Sequence, residues 1–191
     1  MATTFLISEE NTFAAVIVRN DDSSLLSKLG HDHVVRAARF QTEVHLDLED
    51  LQSLELGLAF PVEALVVDDQ RDRQRVGLSG KISEKDRRAT AENMRAKGQL
   101  HSGKFPQILF HVQGAEPGEE KTHWKLKAAL TVAGTTHHFH FPVEIKAKAE
   151  GFLLSGEIAI THQDLGLRPY RAPLGALRNK EELAFVVEVT I

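Results

Sequence analysis

The chain has 191 residues, 42% of them hydrophobic and 26% charged, with a formal net charge of −4 at pH 7 and a pI near 6.2. That balance fits a soluble globular domain with a substantial core. The missing basic surplus argues against a nucleic-acid partner, whose affinity rests on phosphate contacts. Cysteine is absent, which excludes disulfides, thiolate metal sites and a cysteine nucleophile.

The start lacks a basic region, and its apolar run is only Phe5, Leu6 and Ile7, too short for a signal peptide. No apolar run could span a bilayer, so no stable membrane insertion is expected. As written, the chain is expected in the cytoplasm; a periplasmic chain already relieved of its leader would read the same.

Candidate strands come first, at residues 5–8, 13–19 and 34–48. Leu54, Leu56, Leu58, Phe60, Val62, Ala64 and Val66 then share one face of an extended run. The basic cluster Arg71-Asp72-Arg73-Gln74-Arg75 reads as a solvated loop. Ser83 with Asp86 three residues on resembles a capped helix start. The charged stretch that follows, with Gly98 as a natural stop, predicts one surface helix over residues 83–97. Residues 107–113 form the next strand. In the strand from 122 to 132, Trp124, Leu126, Ala128, Leu130 and Val132 alternate with polar residues. After the turn signal Ala133-Gly134, Phe139, Phe141, Val143, Ile145 and Ala147 share a face opposite His138 and His140. Phe152, Leu154, Ile158 and Ile160 repeat the pattern after Glu150-Gly151, as do Leu183, Phe185, Val187, Val189 and Ile191 at the end.

Strict alternation marks strands that are dry on one face and wet on the other. Short connections make them antiparallel neighbours. No linker or repeat divides the chain, so a single domain is expected. About eight such strands have edges to hide, and closing into an antiparallel barrel hides them. The expected fold is therefore all-β, an extended lipocalin-like barrel with one surface helix; a two-sheet sandwich is the rival.

Several local motifs stand in a recognisable order. They are Leu29-Gly30-His31-Asp32-His33; Asn93-Met94-Arg95 at the helix end, with Leu100; and Phe105-Pro106-Gln107-Ile108-Leu109-Phe110. Then come Leu130-Thr131-Val132-Ala133-Gly134-Thr135 running into Phe139, Phe141, Pro142 and Val143; Asp164-Leu165-Gly166-Leu167-Arg168-Pro169; and Leu174-Gly175-Ala176-Leu177-Arg178. From about residue 5 to the end, this order resembles the YceI-like family of bacterial lipocalin-like proteins. The resemblance implies a barrel with an elongated apolar cavity that binds a polyisoprenoid or another long amphiphile, without catalysis and with no cofactor beyond that lipid. Many relatives are exported, and many carry an acid and a histidine where this chain has Glu92-Asn93. The His31-Asp32-His33 form marks a branch of the family.

On that basis Trp124, Leu126, Leu130, Phe139, Phe141, Val143, Phe152, Leu154 and Tyr170 are expected to contact the ligand. Tyr170, Arg168, Arg171 or His31 would orient it at the mouth. The partner is thus a long-chain apolar small molecule; homodimerisation is left open. A metal-binding or metal-dependent protein is the alternative, because His31 and His33 are spaced to share one face of a strand. His138 and His140 have the same spacing but are expected on the wet side of their strand and not as ligands. A barrel packed solid, acting as an interaction module, is the third alternative. Gly98-Gln99-Leu100-His101-Ser102-Gly103-Lys104 nearly matches a phosphate-binding loop. Phe105-Pro106 follows where Ser or Thr and a helix are needed, so nucleotide binding is rejected.

Overall fold

The period-two segments become strands, and the strands pair antiparallel throughout. A computed structural model describes residues 3–6, 8–23, 30–40, 43–47, 50–172 and 177–190. The expected strand residues Ile7, Leu48 and Ile191, and the motif residues Leu29, Leu174, Gly175 and Ala176, lie outside the described residues. In chain order the strands are β1 (Thr3–Leu6), β2 (Thr12–Asn20), β3 (His33–Ala37), β4 (Glu43–Asp47), β5 (Asp50–Pro61) and β6 (Leu65–Val67). Two helices follow, α1 (Gln70–Arg75) and α2 (Glu84–Arg95). Then come β7 (Gln107–Pro117), β8 (His123–Val132), β9 (Thr135–Ala147), β10 (Phe152–Thr161) and β11 (Asn179–Thr190).

The described strands form one sheet in the order β1-β4-β5-β7-β8-β9-β10-β11-β2-β3-β6. Its register shows that the ends of this order belong to shared chain runs. β3 pairs with β6 through Ala37↔Leu65, and β4 with β5 through Val44↔Leu56, so β3 and β4 lie in turn along β6 and β5. Between these pairs one arm advances from 37 to 44 while the other recedes from 65 to 56, two residues further. A 3-10 turn at Val62–Ala64 takes up the difference. Likewise β1 lies along β4 and β2 along β3. The named strands therefore make eight runs, and the last of them, β11, pairs with β2 in the first. The sheet curls round into a barrel, as expected from the need to hide strand edges.

Four details differ from the sequence expectation. The single strand expected at 34–48 is two, β3 and β4. The face shared from Leu54 through Phe60 breaks at the 3-10 turn, after which Leu65, not Val66, faces inward. Helix α2 is capped by Ser83 as expected, its hydroxyl accepting from the Asp86 amide at 3.1 Å, but it stops at Ala96 in an extended conformation before Gly98 is reached.

The fourth difference is the basic cluster at 71–75, which is helix α1 and not a solvated loop. Asp69 caps it by accepting from the Arg71 amide. A helix this short is marginal alone; ion pairs pin it. Arg73, only 2% exposed, reaches Asp68 at 2.8 Å and the carbonyls of Asp32 at 2.7 Å and Ser79 at 2.8 Å. Asp72 pairs with Arg36 at 2.7 Å.

This segment covers the barrel from outside. Phe13, Ala15 and Ile17 of β2 and Val34 of β3 are buried under Leu78 and Val76, which follow α1. On β2 the outward face is thus more deeply buried than the inward one. Helix α2 packs against β6 and closes over one end of the barrel.

Candidate ligand-binding cavity

The pleat turns alternate side chains of every run inward, and these enclose about 320 Å3 of free space. On β2 the inward set is Thr12, Ala14, Val16 and Val18; on β5 it is Leu54, Leu56, Leu58 and Phe60. Val16, Val18, Leu58, Ile158, Phe185 and Val187 stay only half-buried although they point into the barrel, because the surface they expose is the cavity wall. Two buried clusters contribute to this wall. One buried cluster gathers Phe40, Leu54, Val112, Leu126 and Val143; the other gathers Val62, Leu130, Val132, Ile160 and Leu165.

Of the nine expected contact residues, Leu126, Leu130, Phe139, Phe141, Phe152, Leu154 and Tyr170 line the cavity. Trp124 and Val143 do not; they oppose one another across β8 and β9 and pack within the first cluster. Phe141 belongs to core and wall together. It is 3% exposed, meets Phe110 and Phe139 edge-on, and lies against the β10 backbone at Gly156. A Cβ at Gly156 would stand 3.2 Å from the Phe141 ring and 2.4 Å from the Pro142 carbonyl.

Polar side chains gather at the end covered by α2. Thr90 and Asn93 come from that helix, Gln99 from the turn after it, and His33, His162, Tyr170 and Asn179 from the strand ends and the β10–β11 loop. Asn93 donates to the Tyr170 hydroxyl at 3.4 Å, and Gln99 donates to the Arg168 carbonyl at 3.2 Å. Arg168 and Arg171 themselves point outward, and His31 is exposed; none of the three lines the cavity.

His33 faces inward from the first position of β3, and its Nδ1 lies 2.6 Å from Asp68. Burial works against the charged form of Asp68. Hydrogen bonds from His33, from the Val34 amide at 3.0 Å and from Arg73 outweigh it and hold the carboxyl below the usual range. His31 and His33 therefore do not converge, since one is at the surface and the other is tied to Asp68. Among the described residues no group of three or more His, Asp or Glu is placed to hold a metal ion. His138 and His140 are exposed on the outer face of β9, as their alternation with Phe139 and Phe141 required.

His162, Asn93, Gln99 and Asn179 were not foreseen. The signal for His162 was present: the inward set of β10, Leu154, Ile158 and Ile160, reaches it when carried one step further. Asn93, Gln99 and Asn179 owe their places to how α2 and the β10–β11 loop fold over the mouth, which no local period records.

In sequence, no curated protein matches the chain. In structure it is similar to Burkholderia cenocepacia BcnA, at 10% identity over 97% of this chain and 99% of that one, with a TM-score of 0.71. It is also similar to a polyisoprenoid binding domain from Saccharophagus degradans implicated in plant cell wall breakdown, at 10% identity over the whole of both chains, TM-score 0.61. The Campylobacter jejuni YCEI protein shares 14% identity over 82% of this chain and 84% of its own, TM-score 0.56. These likenesses speak for the fold. The YceI-like domain model matches residues 21–190, from the end of β2 through β11, and the chain belongs to that family.

Proposed function

We propose that the protein binds a long apolar molecule of the polyisoprenoid class lengthwise in its barrel, and stores or carries it without altering it chemically. The observation that carries this reading is the hollow interior: about 320 Å3 of free space walled by aliphatic and aromatic side chains from all round the barrel. Each methylene moved from water into such a space gains about 0.8 kcal/mol, so a prenyl chain of modest length supplies its own driving force. The Saccharophagus domain with the same fold is described as polyisoprenoid binding, which agrees with the wall chemistry. We take the His31-Asp32-His33 form as the mark of a branch within the family, with His33 serving the interior and His31 the surface.

Organic extraction of the purified protein followed by mass spectrometry tests the reading. A prenyl lipid recovered in proportion to protein is the expected result. Lipid-free protein that fails to take up any long-chain prenyl probe in a fluorescence or calorimetric titration would overturn it.

A further inference from the structure

Resting on that reading, we propose that the mouth under α2 receives the polar head of the ligand, and that this head is a hydroxyl group, an alcohol or phenol, held through Nε2 of His33 and His162. Both histidines line the cavity at this end. The tautomer of each follows from its partner. Nδ1 of His162 lies 2.8 Å from the backbone carbonyl of Glu181, and a carbonyl can only accept, so Nδ1 carries the hydrogen. Nδ1 of His33 faces the ionised Asp68, which can likewise only accept. In a neutral imidazole the other nitrogen is then an acceptor. Among the described residues neither Nε2 has a protein partner.

The mouth thus presents two hydrogen-bond acceptors whose rings are held from behind. The Tyr170 hydroxyl, which lines the same cavity and accepts from Asn93, keeps its own hydrogen to give. A hydroxyl head matches this set, donating to a histidine and accepting from Tyr170. An ether or carbonyl head has nothing to donate. A phosphate head needs cations, and among the described residues no lysine or arginine lines the cavity. The guanidinium of Arg73 is buried behind Asp68, already bound to that carboxylate and to carbonyls.

Three probes of one tail separate these heads: geranylgeraniol, its methyl ether and its monophosphate, titrated into lipid-free protein at about pH 8. The alcohol is expected to bind about five- to tenfold more tightly than the ether, the worth of one buried hydrogen bond, and the phosphate more weakly than either. His33→Asn and His162→Asn each retain a donor near Nδ1 and remove Nε2. The double variant should lose the preference for alcohol while binding the ether as the wild type does. Equal binding of alcohol and ether by the wild type, or tightest binding of the phosphate, would overturn the hydroxyl assignment and leave the tail-binding reading standing. A preference that survives in the double variant would overturn the role of the two histidines. Failure of all three probes to bind would sink the polyisoprenoid reading itself, and this inference with it.

Discussion

Phe139 and Phe141 sit two residues apart on the same face of β9, yet truncating them should have unequal consequences. Phe141 is 3% exposed and enclosed by Phe110, Phe139 and the bare backbone at Gly156. Removing its ring deletes fully buried apolar surface and leaves a hole among atoms that cannot all collapse, so Phe141→Ala should cost about 3–5 kcal/mol. Phe139 is half-buried; His137 stacks on one side of it with centroids 5.5 Å apart, and the cavity lies on another. The space its loss would create is in large part there already, so the cavity penalty shrinks and about 1–2 kcal/mol of transfer energy remains. Urea unfolding of lipid-free protein measures both. A saturating prenyl ligand at about a hundredfold over its Kd adds about 2.7 kcal/mol to the wild type, and Phe139→Ala should reduce that increment as well. Equal losses from the two truncations in lipid-free protein would mean that the interior is packed solid and that the free space is not a binding cavity.

The buried Asp68 carboxylate gives a pH prediction. The folded carboxyl of Asp68 ionises below its ordinary value of 3.8, so the fold favours the ionised form. Its contribution to stability is fully present above that value and is lost as the pH falls through the lower, folded one. Asp68→Asn should flatten the acid limb of a stability-against-pH curve, and an unchanged limb would refute the assignment. Arg73→Met leaves the buried Asp68 charge with only His33 and the Val34 amide, so denaturant titration at neutral pH should show a loss of about 3–5 kcal/mol. At Gly134 the backbone φ is +81° and a Cβ would stand 2.6 Å from the Phe105 ring. Gly134→Ala should therefore destabilise by about 1–3 kcal/mol in thermal or chemical unfolding. Replacing His138 and His140 with Gln should change stability by less than about 0.5 kcal/mol and leave bound metal, read by elemental analysis, as it was.

The strands were legible because their information is local: alternation along β8, β9, β10 and β11 is a property of neighbouring residues. What alternation cannot report is which face is covered, and by what. On β2 it yields two candidate faces, Phe13-Ala15-Ile17 and Ala14-Val16-Val18. The choice between them is made by Leu78, some sixty residues on, which buries the first set from outside and leaves the second to wall the cavity. Local pattern hid α1 as well. Arg73 looks like any solvated cation until Asp68, the Asp32 carbonyl and the Ser79 carbonyl are brought round it. Its burial then depends on acceptors at residues 32, 68 and 79 together.

Hollowness is less local still. A Leu or Phe facing inward is equally consistent with a packed core and with a wall, since the difference lies in how the summed side-chain volumes compare with the circumference of the closed sheet. In this chain the small residues Ala14, Val16 and Val18 face inward on β2, which the strand order places across the closed sheet from the larger Leu126 and Leu130 of β8. Bulk on one side of the barrel does not reach across to the other. Gly156 draws Phe141 back against β10 and helps keep the space open. A larger residue at 156 would have to displace that ring or the strand beside it, so one glycine that no period singles out helps to set the room left for a ligand.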